Sequence, residues 1–189
     1  MRHSGFTLIE LVITIIIIGL ISVIAIPKFI SFSDEANLAT AQYTFKQFEQ
    51  SAKLFHSKCV ASGWLGLAYR GGSGASNRFE AAIRAAGLHN RPSGSGSCYP
   101  ESTIRDGNFS NGRDCAYTMR SLLNTDMTIT RIESDNANSP ETTIVAKAES
   151  NQHICTFYYQ KGFKERTRSK MPLMIYNAAK GTFTYENFN

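Results

Sequence analysis

The sequence predicts an α+β protein in which one long N-terminal helix packs against an antiparallel β-sheet head. Three observations predict this fold: an apolar run over residues 6–26, an amphipathic helical pattern that continues to Cys59, and short β-rich segments over residues 126–189. The 189 residues suffice for one domain of ordinary size and an anchor. We divide the chain into a polar leader (1–5), an apolar transmembrane or assembly helix (6–27), an amphipathic helix packed on the head (28–63), a variable connection (64–125) and a sheet region (126–189).

The apolar run has the length of a membrane span and contains one acidic residue. Arg2 precedes it, Lys28 follows it, and Glu10 lies inside it. A helix of about 20 residues crosses the hydrocarbon core of a bilayer. A carboxylate costs about 2.5–3.5 kcal/mol at mid-bilayer by insertion scales, less near the interface, so such a residue is usually functional and has a partner.

Three interpretations of this N-terminus compete. A secretory signal peptide would have a shorter apolar core and a small-residue cleavage site, for which Val23-Ile24-Ala25 could pass. A plain transmembrane anchor fits the length but leaves Glu10 unexplained. The third interpretation rests on Gly5-Phe6-Thr7-Leu8-Ile9-Glu10, which resembles the processing site of type IV prepilins and pseudopilins. We favour this interpretation, which predicts the pilin fold.

The resemblance implies a role for each motif residue. A prepilin peptidase would cleave after Gly5 and methylate the new amino terminus at Phe6. Glu10 would pair with that amino group, commonly on a neighbouring subunit. Burying a carboxylate or an ammonium group without a partner is costly, so docking that brings them together sets the register of assembly.

Gly19 and Pro27 also match the family. Pro27 removes an amide donor and should kink or loosen the helix, and the stretch between the two residues is where pilin helices can melt inside filaments. A proline that simply ends a membrane segment is the alternative.

The amphipathic helix follows from apolar residues spaced alternately four and three apart, which share one helical face. It should end near Gly63, and its first half must protrude because the body is too small to bury its whole length. Glu49 and Lys53 form a favourable i,i+4 pair on another face. The apolar face comprises Ala41, Phe45, Phe48, Ala52, Phe55 and Cys59.

The remaining elements are predicted from local patterns. Between two Gly/Ser-rich loops, Asn77 can cap a short helix that runs through Ala86, and Asp114 can cap a second helix. Short connections between the β-rich segments suggest antiparallel pairing. The predicted strands span residues 127–132, 142–146, 154–159, 173–176 and 181–185.

The cysteines indicate disulfides in an oxidising compartment, because their number is even and all four follow the apolar segment. Four free core thiols are the alternative. The helix end around Cys59 and the segments around Cys115 and Cys155 resemble those of pilins of the mannose-sensitive haemagglutinin (MSHA) group. That resemblance favours Cys115–Cys155, which leaves Cys59–Cys98; the rival pattern is Cys98–Cys115 with Cys59–Cys155.

Two weaker patterns concern ligands. A basic, aromatic-containing run could track the phosphates of nucleic acid, although such runs are usually solvated loops. Its basic residues are Lys161, Lys164, Arg166, Arg168 and Lys170. Residues 135–138 resemble a calcium loop only faintly, since they lack its glycine and distal glutamate. We expect neither a metal nor a cofactor, and no catalytic constellation is visible.

The predicted function is therefore structural: a subunit of a type IV filament, MSHA-like and of the short-leader class, for adhesion, attachment or motility. The implied partners are other pilin subunits, the prepilin peptidase, an inner-membrane assembly platform and, before assembly, membrane lipid. The precursor would lie in the inner membrane with a periplasmic head and become extracellular on assembly. A type II secretion pseudopilin and a DNA-binding minor pilin are the alternatives.

Overall fold

The computed structural model describes residues 6–63, 91–92, 95–101, 109, 111–149, 152–163 and 167–188. The predicted leader over residues 1–5 and the predicted helix from Asn77 to Ala86 lie outside the described residues. In chain order the elements are helix α1 (Leu8–Ala61), strands β1 (Arg91–Pro92) and β2 (Pro100–Glu101), helix α2 (Gly112–Leu123), and strands β3 (Ile129–Arg131), β4 (Ile144–Glu149), β5 (Ile154–Tyr159), β6 (Leu173–Asn177) and β7 (Thr182–Glu186).

Helix α1 is one continuous element of 54 residues, which corresponds to a length of about 80 Å. Thr7 caps its N-terminus, and the chain leaves the helix through Ser62 and Gly63. Gly63 has a φ of +76°, a left-handed conformation that glycine adopts without steric cost and that commonly follows a helix end. The backbone stays helical through Pro27.

The head is a five-stranded sheet in the order β3-β4-β5-β6-β7. The last four strands pair antiparallel, as predicted, with Cys155 opposite Ala148 on one side and Tyr176 on the other. Strands β1 and β2 form a separate antiparallel pair. The α+β prediction is therefore confirmed, with a long apolar N-terminal helix and a sheet head.

One pairing differs from the prediction, because β3 and β4 run parallel, with Ile129 opposite Ile144. The connection over residues 132–143 includes a 3-10 helix at Asp135–Asn138. Parallel strands need a crossover of about a dozen residues, and this connection is long enough to return the chain to the start of the neighbouring strand. The sheet is therefore mixed, and the prediction of a wholly antiparallel sheet was wrong.

Helix α2 packs against β3 and β4 and begins earlier than predicted. Its N-cap is Asn111, whose side-chain oxygen accepts from the backbone N–H of Arg113, whereas Asp114 lies in the first turn. Gly112 permits a close approach to the sheet, because a Cβ there would lie 2.5 Å from the carbonyl oxygen of Ala146. The prediction that Asp114 caps this helix was therefore wrong, and the actual cap, Asn111, lies on the other side of Gly112.

The core lies between α1, α2 and the sheet, and aromatic rings dominate its centre. Phe48 is fully buried, with ring centroids 5.4 Å from Phe157, 5.3 Å from Tyr176 and 6.2 Å from Phe183. All six residues of the predicted apolar face of α1 are buried. The 4-3 pattern thus identified the surface of α1 that carries the head.

Two disulfides tie the helices to the rest of the head. Cys59 near the end of α1 bonds to Cys98, and Cys115 in α2 bonds to Cys155 in β5. This is the pairing that the resemblance favoured, and both bonds are buried. Cys59–Cys98 therefore fixes the segment before β2 to the helix end.

We expect the double variant Cys59→Ser/Cys98→Ser to lower the free energy of unfolding by about 3–4 kcal/mol, because the bond closes a loop with a sequence separation of 39. Urea unfolding followed by near-ultraviolet circular dichroism measures the change. Wild-type protein under reducing conditions, in which both disulfides are open, should be less stable than the double variant. A double variant as stable as the oxidised wild type would contradict the prediction.

Candidate functional site

The start of α1 holds Glu10 in a closed local arrangement. The Glu10 carboxylate accepts from the backbone N–H of Thr7 at 3.0 Å and from its hydroxyl at 2.8 Å. In return, the backbone N–H of Glu10 donates to the Thr7 hydroxyl oxygen at 3.3 Å. This is a capping box, which satisfies amide donors that the first turn of a helix leaves free. Phe6 directly precedes it and is 78% exposed.

The apolar segment after this box has no partner within the described part of the chain. Residues Leu8–Ile26 have a mean hydropathy of 2.9, none of that stretch is buried, and its length and composition suffice to cross a membrane. Glu10 is its only charged residue. An apolar surface of this length needs lipid or other protein around it, because its exposure to water is unfavourable.

The predicted assembly residues lie along one helix rather than around a pocket. Phe6 and Glu10 are within about one turn of each other. Gly19 and Pro27 lie roughly 14 and 26 Å beyond Glu10 along the helix, at about 1.5 Å per residue. Gly19 has open space around it, since a Cβ there would meet nothing within 4 Å. Gly5 lies outside the described residues. The predicted roles of these residues in processing and assembly stay predictions.

A polar cluster fastens the opposite half of α1 to the sheet. Glu49 accepts from Lys46 at 3.0 Å, from Lys53 at 2.6 Å and from the hydroxyl of Tyr185 at 2.5 Å. Burial alone would raise the pKa of Glu49, but the hydrogen bonds from Lys53, Tyr185 and Lys46 outweigh it and lower the pKa to about 2. The sequence predicted the pair with Lys53, but it gave no sign of Tyr185, which lies on β7.

We expect Glu49→Gln to destabilise the head by about 2 kcal/mol at neutral pH, since the ionised carboxylate has a pKa below its ordinary value of 4.5 in the folded chain. A lowered pKa stabilises the fold above pH 4.5, and this contribution disappears as pH falls towards 2. The difference in the free energy of unfolding between wild type and variant, measured by urea unfolding, should therefore shrink as the pH falls from 4.5 towards 2. A difference that does not change with pH would contradict this assignment.

The predicted basic run is only partly described. Lys161, Arg168 and Lys170 are exposed, and Lys164 and Arg166 lie outside the described residues. The side-chain amide of Asn37 donates to the carbonyl oxygen of Gly162 at 3.3 Å, so the start of this run contacts α1. Its predicted binding of DNA stays a prediction.

A buried carboxylate in the head has no counterpart in the sequence predictions. Glu101 is fully buried, and it accepts from the backbone N–H of Phe109 at 2.9 Å and lies 3.0 Å from Nδ1 of His153. The two residues are 52 positions apart, so no local pattern links them. The contact fits a structural role for His153. In the described part of the chain, no group of three His, Cys, Asp or Glu residues is placed to hold a metal ion.

Comparisons with known proteins agree with the N-terminal geometry. Residues 1–26 match the family model of the prokaryotic N-terminal methylation motif. The chain is 52% identical over 44 residues to the major component of the type IV narrow pilus, PilA5, of Thermus thermophilus, a match that covers 23% of this chain and 38% of that protein. It is 42% identical over 57 residues to the type IV major pilin protein PilA of Myxococcus xanthus, a match that covers 30% of this chain and 26% of that protein.

The matches therefore span less than half of either relative, and no solved structure matches the chain significantly. The methylation motif, the pilin relatives and the α+β architecture together confirm the predicted family. The N-terminal region of the chain is therefore similar to that of type IV pilins, as the sequence predicted.

Proposed function

We propose that the processed chain is a structural subunit of a type IV pilus, MSHA-like in its helix end and disulfides, which serves adhesion, attachment or motility. The carrying observation is the unburied apolar segment Leu8–Ile26 with Glu10 near its start. The segment is long enough to hold the precursor in the inner membrane with a periplasmic head. The same surface, moved out of lipid, can be covered by the helices of other subunits.

The chemistry of assembly centres on Glu10. Cleavage after Gly5 would make Phe6 the first residue and give it a charged amino group beside the capping box. In an apolar filament core, the Glu10 carboxylate and the Phe6 amino group of a neighbouring subunit are each costly to bury alone. A subunit that docks in the register that joins them removes both costs, whereas a slipped subunit leaves two buried charges.

The head supports this function by holding the helix rigidly. The buried face of α1 and the hydrogen bond from Tyr185 to Glu49 fix the second half of α1 to the sheet, and the Cys59–Cys98 disulfide fixes its end to the segment before β2. Force applied to the apolar half is therefore transmitted to a cross-linked head. The assembly platform and the prepilin peptidase are the proposed partners in the membrane.

Labelling and mass spectrometry of sheared surface filaments test the proposal. We expect the chain in the sheared fraction, with a mass that corresponds to loss of residues 1–5 and addition of one methyl group, and immunogold label on filaments. Label along the whole shaft would make it a major subunit, and label at rare points a minor one. A processed chain that never appears outside the cell would contradict the pilus and favour a type II secretion pseudopilin.

A further inference from the structure

Three arginines line a cleft between α2 and β3, and no described residue of α1 belongs to its lining. The cleft has a volume of about 260 Å³. Arg113 and Arg120 come from α2, and Arg131 comes from the end of β3. The other lining residues are Ala116, Ile129, Thr130 and Ser134.

The secondary structure directs positive charge towards this cleft. Arg113 and Arg120 are two helical turns apart and so share a face of α2. Arg113 lies in the first turn of α2, where the helix dipole adds partial positive charge. The guanidinium of Arg120 donates to the carbonyl oxygen of Ile129 at 2.7 Å, which anchors that side chain against β3.

The arginines of the cleft have no acidic partner within ion-pair distance among the described residues. None of the ion pairs in the described part of the chain involves Arg113, Arg120 or Arg131. Like charges that line the same cleft repel one another. A bound anion would relieve the repulsion between the arginines.

We propose that this cleft binds a single phosphate group carried by a small phosphorylated ligand. Guanidinium groups present planar pairs of donors that match phosphate oxygens, and three of them suit a dianionic group better than a carboxylate. Nucleic acid strands are instead bound along grooves that track several phosphates and contain aromatic side chains for base stacking. The lining of this cleft has no aromatic residue among the described residues.

One acidic residue, Glu133, lies near the cleft, and its negative charge should weaken the binding of a phosphate group there. A Cβ built on Gly112 would lie 2.9 Å from the Glu133 carboxylate and 3.0 Å from Cβ of Arg131. Glu133 therefore lies close to Gly112 and Arg131 but is not part of the lining. Removing its charge should strengthen phosphate binding.

Calorimetric titration of the full-length chain with inorganic phosphate, in non-ionic detergent and at constant ionic strength, tests the proposal. Wild type should bind with a single saturable site. Arg113→Gln and Arg131→Gln should each weaken binding about tenfold, because each removes a charged hydrogen-bond donor. Glu133→Gln should strengthen it. Lys180→Gln, on the exposed turn between β6 and β7, is the matched control and should leave binding unchanged.

A phosphate site in this cleft predicts a pattern of binding that a diffuse basic surface would not show. Absence of saturable binding to wild type, or equal weakening by Lys180→Gln, would overturn the proposal. Tighter binding of a short duplex DNA than of phosphate, lost in the same two arginine variants, would also overturn it, since the ligand would then be nucleic acid. Unchanged circular dichroism of the variants checks that they fold, and filament assembly by the same variants is expected to be normal.

Discussion

Replacing Glu10 by valine is expected to permit cleavage after Gly5 but to reduce filament assembly by an order of magnitude or more. Valine keeps the segment apolar and easy to hold in the membrane. It removes the only charge in Leu8–Ile26 and with it the partner proposed for the Phe6 amino group. The amino group would then enter the filament core unpaired, and subunits would lose the interaction that sets their register.

The comparison of sheared filaments with the processed chain in membranes measures this effect. Glu10→Gln removes the charge but keeps a polar oxygen for the capping box with Thr7, so it should retain the helix start and still assemble poorly. Glu35→Gln changes an exposed carboxylate of α1 outside the apolar segment and should assemble normally. Wild-type amounts of filament from Glu10→Val would contradict the register mechanism.

The features that the sequence predicted well are those set by neighbours along the chain. The burial of Phe45, Phe48 and Cys59 follows from a helical period that each residue shares with residues three or four away. The five β-rich segments became strands for the same local reason. The capping box between Thr7 and Glu10 is equally local, and the spacing Thr-x-x-Glu could have revealed it.

The features that the sequence did not predict depend on how separate segments of the chain pair and pack together. The parallel pairing of β3 and β4 depends on the path of the connection, and strand propensity does not encode that path. Tyr185 reaches Glu49 across a separation of 136 residues. The arginine cleft likewise arises only when α2 packs on β3, which the close approach at Gly112 permits.

The buried face of α1 is expected to control the stability of the head. Phe48→Ala should lower the free energy of unfolding by about 3–5 kcal/mol, because it removes a fully buried ring and leaves a cavity. The cavity would lie among Phe157, Tyr176 and Phe183, which come from three strands and cannot close on it without moving the sheet. A folded domain has a net stability of about 5–15 kcal/mol, so this loss is a large fraction of the total.

Tyr43→Ala is the matched control, since it removes an aromatic ring of α1 that is 69% exposed. Surface substitutions of this kind usually change stability by no more than about 0.5 kcal/mol. Urea unfolding of both variants in detergent, followed by near-ultraviolet circular dichroism, should therefore shift the midpoint for Phe48→Ala far more than for Tyr43→Ala. Equal shifts would mean that the head does not depend on the buried face of α1, and the helix would then be an anchor joined to the head rather than part of its core.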